Sequence, residues 1–305
     1  MIRATRVVPY SRPGAPDGFL LRVEDDAGRH GWGDAAPWRG FGDWRRADEL
    51  EAALRNPSDE APVEARHAWQ LARLDLEARS QGHPLSSLLT ERPAASVPVH
   101  TLVRDGEEAI RAVALGATHL KIKVGRGSIA ADDGRVWEIR ASAGPAPRLR
   151  LDANGAWDVA RACEAIARLK QWDIEWIEQP VPPGDPAALA TVRRETGIPV
   201  AADESIVDEA SLDALVAAHA IDVAVIKPMF LGGPREAYLL ALRAQAAGLK
   251  VVITHAFGSP IERAAALHVA AALGETAIPC GVGTAPHGPR LIVPTVPGLG
   301  LEGTA

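Results

Sequence analysis

The 305-residue chain is poor in the features that mark several protein classes. It has two cysteines, Cys163 and Cys280, too far apart to form a metal-ligand pair and too few to staple a fold of this length. Such usage points to a reducing compartment. Neither charge dominates: 33 Lys and Arg stand against 39 Asp and Glu, for a formal net charge of −6. That balance excludes a strongly basic nucleic-acid binder and a polyacidic tail protein. No run approaches the roughly 18 apolar residues of a membrane span, and the best candidates are interrupted by Lys227, Lys250 or His255. The opening Met1–Arg6 lacks the apolar core of a signal peptide. The sequence therefore predicts a soluble, cytoplasmic protein with no membrane or nucleic-acid partner. Walker A, Gly-x-Ser-x-Gly and His-Glu-x-x-His motifs are missing, as is a Gly-x-Gly-x-x-Gly opening a helix. The Ala-rich segments carry no sustained heptad, and Trp44-Arg45-Arg46 and Arg193-Arg194 read as solvated faces. Oligomeric state is not written in the sequence.

What is present is a chain with 47% hydrophobic and 24% charged residues, enough to bury a large core. Between about residues 97 and 281, short β-branched runs alternate with helix-like stretches. The predicted strands are Val97–Leu102, His119–Val124, Leu149–Ala153, Ile174–Gln179, Pro199–Glu204, Ile221–Pro228, Lys250–His255 and Ala277–Gly281. Helical stretches such as Gly106–Leu115, Trp157–Gln171, Asp208–His219 and Glu236–Ala247 lie between them. A βα unit repeated eight times predicts an α/β fold of (β/α)8-barrel type, with a doubly wound open sheet as the alternative. Residues 1–95 lack this period. Phe19–Glu24 and Trp32–Ala36 read as meander strands joined by Asp25-Asp26-Ala27-Gly28, and Ala61–Gln81 reads as a helix ended by Gly82-His83-Pro84. We expect an α+β capping domain over 1–95, a barrel over 96–281, and a Gly/Pro-rich tail over 282–305 packing back onto the cap.

Active groups of a barrel sit at the C-terminal ends of its strands. Read in order, those ends carry Lys121-Ile122-Lys123, Asp152-Ala153-Asn154, Glu178, Asp203-Glu204 and Lys227. Alternation puts Lys121 and Lys123 on one face, and Asp152 with Asn154 on one face. One carboxylate per βα unit brings Asp152, Glu178 and Asp203 together on neighbouring strands. Three gathered carboxylates repel unless a cation joins them, and all-oxygen ligands suit Mg²⁺. Each acid taken alone is equally readable as a helix cap or a partner for a nearby arginine. A lysine near a dication and a second ammonium loses preference for its charged form and becomes a general base. Lys121 reads equally as a barrel-interior ion pair. A dication between two amines suits removal of a proton alpha to a carboxylate, because it stabilises the enediolate that forms.

The segments Lys121-x-Lys123, Leu151-Asp152-Ala153-Asn154, Trp176-Ile177-Glu178-Gln179-Pro180, Ala202-Asp203-Glu204-Ser205 and Ile226-Lys227-Pro228 resemble the enolase superfamily, in particular its muconate-lactonising subgroup. A Lys or His base working beside Mg²⁺ is the known pattern of that superfamily. Gly31-Trp32-Gly33-Asp34-Ala35-Ala36-Pro37, with Gly40-Phe41-Gly42, resembles the capping segment of the o-succinylbenzoate synthase family, and Cys280-Gly281-Val282-Gly283-Thr284 its eighth strand. The resemblance implies that Asp152, Glu178 and Asp203 bind Mg²⁺ or another divalent ion such as Mn²⁺. It implies that Lys123 abstracts the alpha proton, that Lys227 stabilises the enediolate, and that Lys121 tunes Lys123 and the substrate carboxylate. The implied reaction is dehydration of 2-succinyl-6-hydroxy-2,4-cyclohexadiene-1-carboxylate, a small-molecule carboxylate. Departures exist. Strand seven ends in Thr254-His255-Ala256-Phe257 where many relatives carry serines, so His255 either contacts a substrate carboxylate or fills the barrel mouth. Phe257–Glu262 is either a substrate loop or a structural turn. Asp34 replaces a common glutamate. The eighth strand lacks the Asp-x-Asp by which dipeptide epimerases hold an ammonium, which leaves an N-acylamino-acid racemase as the second reading and a non-catalytic carboxylate-binding barrel as the third.

Overall fold

The computed structural model describes residues 1–12, 15–38, 41, 47–283 and 287–301. The sequence features at Gly40, Gly42, Trp44-Arg45-Arg46, Thr284 and Glu302 lie outside the described residues. Residues near the N-terminus form an antiparallel meander of β1 (Ile2–Tyr10), β2 (Gly18–Asp25) and β3 (His30–Ala35), followed by helices α1 (Ala47–Arg55) and α2 (Val63–Gln81). The turn between β2 and β3 forms where the sequence predicts it. Asp25 Oδ1 accepts from Ala27 N and Arg29 N, each at 2.9 Å, and Gly28 adopts the left-handed φ of 76°. Helix α2 lies directly on β3, because a Cβ at Gly33 would stand 1.9 Å from the Ala68 carbonyl oxygen. Its end is the expected glycine: Gly82 at φ 75°. Neither β1 nor α1 is legible in the sequence. β1 is an edge strand with mostly exposed or half-buried residues, so it carries no clean apolar alternation.

From Thr101 onward the chain builds a parallel sheet ordered consecutively: β5 (Thr101–Val103), β6 (His119–Lys123), β7 (Arg148–Asp152), β8 (Ile174–Glu178), β9 (Val200–Ala202), β10 (Val223–Ile226) and β11 (Lys250–Ile253). Helices α3 (Gly106–Ala114), α4 (Ile129–Ala143), α5 (Val159–Leu169), α6 (Pro186–Thr196), α7 (Glu209–Ala217), α8 (Pro234–Ala246) and α9 (Pro260–Ala272) follow the successive strands. Consecutive order without reversal excludes the doubly wound alternative, which needs a switch point. The predicted eighth strand is reduced to a seam. Cys280 and Gly281 bridge in parallel to Val99 and Thr254, and Cys280 N and Gly281 N donate to Pro98 O and Ile253 O, each at 2.8 Å. This seam joins the last strand to the first and closes the ring. The predicted strand Val97–Leu102 is split in two. β4 (Ser96–Pro98) pairs antiparallel with β12 (Arg290–Ile292) of the tail, and only β5 enters the barrel.

Two cores result. The larger lies between strands and outer helices, with Leu120, Ile122, Leu149, Leu151, Ile177 and Ile226 among its fully buried residues. The second fills the barrel axis with Trp176, Ala201, Val223, Val225 and Val252. This apolar plug underlies the strand ends where the charged residues stand. A register shift between Leu149 and Arg150 inserts Glu175 as an extra residue on β8, which lets Arg150 reach Glu175 Oε2 at 2.7 Å and lie over the Trp176 ring.

The tail is anchored by a buried carboxylate. Asp75 on α2 accepts from Leu299 N at 2.8 Å and from Trp32 N at 2.9 Å, and it pairs with Arg79. Removing this acceptor orphans two buried backbone donors, one from β3 and one from the tail, and takes the carboxylate from half-buried Arg79. Asp75→Ala is expected to cost about 2–4 kcal/mol of stability by denaturant unfolding. A loss below about 0.5 kcal/mol, the ordinary range for surface changes, would contradict that role for Asp75.

Candidate active site

The five strand ends that follow β5 converge above the apolar plug. In-register pairing sets Lys123 beside Asp152 and Asp152 beside Glu178. One carboxylate oxygen each from Asp152, Glu178 and Asp203 lies within 4.8 Å of the others, and all three residues are buried. The lysines are turned inward as well. Lys121 Nζ reaches Asp152 Oδ2 and Glu178 Oε1, both at 2.7 Å. Lys123 Nζ donates to Asp152 Oδ2 at 2.6 Å and to Asn154 Oδ1 at 2.7 Å. Lys227 donates to both oxygens of Asp203. Thus Lys123 on β6 and Lys227 after β10 flank the acids contributed by β7, β8 and the end of β9.

Backbone geometry at the strand ends holds these groups in place. Asn154 and Gln179, just beyond β7 and β8, take left-handed φ values of 46° and 38°. A short polar side chain makes that tolerable at Asn154, which accepts from Lys123 and donates to Glu204 Oε1 at 2.9 Å. Gln179 Oε1 accepts from Asp203 N at 3.1 Å and Ser205 N at 3.2 Å, fixing the turn that presents Asp203. The sequence motifs contain Asn154, Gln179 and Glu204, but spacing alone assigns none of them a task. Nor does it assign one to Phe41. Its ring stacks on Phe230 at 4.2 Å and lies 4.3 Å from Lys227 Nζ, a cation–π contact that caps the ammonium.

The charges are strongly coupled. Burial raises the Asp152 carboxyl, but Lys121 and Lys123 outweigh it and hold the group well below the ordinary carboxylate range. Glu178 moves the other way, up to about 8, through burial and then the neighbouring charge of Asp152. Glu204 is also pushed up by burial and by Asp203, and its buried Oε2 has no hydrogen-bond partner among the described residues. The sequence predicts lysines shifted down towards a base. The protein's own groups do the reverse at Lys121, where Asp152, Glu178 and Asp203 outweigh burial and push the ammonium up. The acids are strong enough partners to keep it charged.

A cleft of about 1570 Å³ opens over these groups. His255 lines it, yet its Nδ1 accepts from Phe257 N at 3.1 Å, a ring nitrogen meets the Gly283 carbonyl, and burial lowers it to about 4. It is a neutral imidazole whose nitrogens serve the surrounding backbone. Phe257 takes a left-handed φ of 55°, sets its ring edge-on to His255 and meets Trp38. The Phe257–Glu262 segment is clasped to the N-terminal meander by Asp34, which accepts from Tyr10 Oη at 2.7 Å and Ser259 N at 2.8 Å.

Comparison with known proteins places this geometry. Residues 104–304 match the family model described as enolase C-terminal domain-like. The chain belongs to the enolase superfamily. It is 36% identical over 271 residues to the o-succinylbenzoate synthase of Thermobifida fusca, covering 88% of this chain and 74% of that protein. The substrate-liganded L-Ala-D/L-Glu epimerase of Bacillus subtilis superposes with a TM-score of 0.86 at 27% identity, covering 100% of this chain and 99% of that one. The muconate lactonizing enzyme of Pseudomonas putida shares the fold, with a TM-score of 0.87 at 22% identity over 98% and 96% of the two chains. The superfamily is enzymatic and implies a divalent metal, and the donor set here fits one. Three buried carboxylates converge on one point, all donors are oxygen, and Glu178 and Glu204 are driven towards protonation by burial and then by neighbouring anions, whose charge a dication would neutralise. In the described residues no helix is long and apolar enough to cross a membrane.

The clasp carries a pH signature. Glu262 accepts from Ala256 N at 2.9 Å and Gly258 N at 3.3 Å, and burial, reinforced by Asp34, raises it from an ordinary 4.5 to about 8. The folded state therefore keeps a proton that the unfolded chain releases, so this group's contribution to stability declines from about pH 4.5 to about pH 8. Relative to the native protein, Glu262→Gln is expected to gain stability progressively across that window in melting experiments. A difference independent of pH would contradict the assignment.

Proposed function

We propose that this enolase-superfamily member is a Mg²⁺-dependent o-succinylbenzoate synthase, dehydrating 2-succinyl-6-hydroxy-2,4-cyclohexadiene-1-carboxylate to 2-succinylbenzoate in menaquinone biosynthesis. The observation that carries the reading is two inward-facing lysines, Lys123 and Lys227, on either side of a buried Asp152–Glu178–Asp203 cluster. The relative from Thermobifida fusca supports the choice of reaction. Asp152, Glu178 and Asp203 would hold the ion. When bound, the ion supplies positive charge for the substrate carboxylate and takes up the anions that otherwise bind the lysines.

The chain's own groups supply the rest. Lys123 Nζ takes the alpha proton, and the pair of electrons left behind moves into the carboxylate as an enediolate. Lys227, as an ammonium, faces the developing charge from the other side. The beta C–O bond then breaks, and the proton on Lys123 leaves with the hydroxide as water, so the base is regenerated. Asn154 accepts from Lys123 and orients its Nζ. Lys121, bridging Asp152 and Glu178, fixes the spacing of two ligands beside the bound carboxylate. His255 serves as a neutral wall of the substrate cleft. Phe41, Phe230 and Trp38 offer an apolar surface that excludes water.

A second reading, an N-acylamino-acid racemase, is favoured by the same symmetry, since Lys123 and Lys227 could serve as two bases. The residues Cys280–Gly283 bear no acid for a substrate ammonium, which speaks against a dipeptide substrate. Deuterium exchange separates the two. In D₂O, N-succinyl amino acids of both configurations exchange their alpha proton in a racemase, whereas a dehydratase with a purely electrostatic Lys227 exchanges one configuration only.

Lys123→Ala is expected to lower turnover of the cyclohexadiene acid at least about a hundredfold while the protein stays folded, since a positioned base contributes that or more. Unchanged turnover would remove Lys123 from the chemistry, and no turnover by the native enzyme with Mg²⁺ would reject the dehydratase.

A further inference from the structure

Several cations line the cleft, and among the described residues all but Arg126 are either paired with an acid or, as Arg12 with its unpartnered Nη1, buried away from solvent. The three lysines pair with the acids described above. Arg12 is buried and donates to the Pro16 and Pro37 carbonyls at 2.9 and 2.6 Å. Arg104 is held by Glu108 and Arg111 by Glu107. Arg135 donates to the Lys123 carbonyl at 2.6 Å and pairs with Asp132. Arg126 is the exception. It lines the same cleft, is exposed, and has no hydrogen-bond or ion-pair partner among the described residues. It stands three residues after Lys123, in the loop between β6 and α4, on the rim that carries the base.

The cleft is therefore asymmetric. Phe41, stacked on Phe230, meets Lys227, and Trp38 meets Phe257 beside His255, so the Lys227 side of the cleft is apolar, while the loop after Lys123 carries the unpaired Arg126 guanidinium. A ligand with its reacting carboxylate on the acidic cluster and a flat apolar body against Phe41 leaves any further anionic group to be matched on the Arg126 side. A guanidinium can take a carboxylate through two parallel N–H donors, which a point charge cannot. We propose that Arg126 is a specificity-determining residue that recognises the second carboxylate of a dicarboxylate substrate, namely the distal acid of a succinyl group. This rests on the reading of the site given above and names what selects its substrate tail.

Calorimetric binding to the Mg²⁺-loaded protein tests it, using ligands that differ only in the distal acid. The first pair is 2-succinylbenzoate and 2-butyrylbenzoate; the second is N-succinyl- and N-butyryl-L-phenylalanine. The native protein is expected to favour the succinyl member by about tenfold or more, as for a charge-assisted pair. Arg126→Gln is expected to erase that preference, with affinity for the butyryl ligands changed by less than about twofold. Mg²⁺ affinity and the melting temperature of the variant serve as controls for the fold. A preference surviving intact in Arg126→Gln, or no succinyl preference in the native protein, overturns the assignment of Arg126. If only the phenylalanine pair binds and its preference depends on Arg126, the residue keeps its role and the benzoate-forming reaction is rejected. Binding of neither pair overturns both.

Discussion

Mutual repulsion of buried carboxylates is the constraint around which this protein is organised. Asp152, Glu178 and Asp203 are brought to one point at the ends of three adjacent strands, where water cannot screen them. Such a cluster is costly unless positive charge is brought to it. The fold provides three ammonium groups from the flanking strands, two from β6 and one after β10, and their division is uneven. Asp152 receives two lysines and is held ionised, whereas Glu178 shares one and is driven towards its neutral form. A divalent ion held by the three acids would remove that imbalance and compete with the lysines for the same carboxylate oxygens.

The scaffold makes the arrangement rigid. Below the charges, Trp176, Val223, Val225 and Val252 fill the barrel axis, so the acids cannot sink away from each other. Around them, Gln179 and Asn154 use left-handed backbone to aim polar atoms at the next strand end. Above them, the meander reaches over the barrel mouth: Asp34 holds the Ser259 turn, and Phe41 covers Lys227. Chemistry and cap are linked through side chains that belong to neither the acids nor the bases.

Much of this is legible in the sequence, and for an identifiable reason. Five successive strands, β6 to β10, end in charge, so a repeat of about 25 residues prints the site in the order Lys, Asp, Glu, Asp, Lys along the chain. The spacing has meaning because consecutive strands are also neighbours in space. Where strands lack that regularity, the pattern is lost. The eighth strand is a seam of two bridged residues, and the first is divided because Val97 pairs with the tail while Thr101 pairs with β6. β1 is a solvent-facing edge without apolar alternation, and in α1 the described side chains buried in full are Leu50 and Leu54. The partners of Phe41 and Asp34 are invisible for a different reason: both depend on contacts between segments about 190 to 225 residues apart. His255 illustrates a third limit. Its position at a strand end is readable, but the engagement of its ring by Phe257 N and the Gly283 carbonyl is not.

Titration of the purified protein with Mn²⁺, followed by the loss of the free-ion electron paramagnetic resonance signal, tests the central claim most directly. One tightly bound ion per chain is expected. Asp152→Asn, Glu178→Gln and Asp203→Asn should each weaken binding by at least about a hundredfold, as the loss of one charged ligand from three implies. Undiminished binding in any of the three variants would contradict the account, because that acid would then not share in holding the ion.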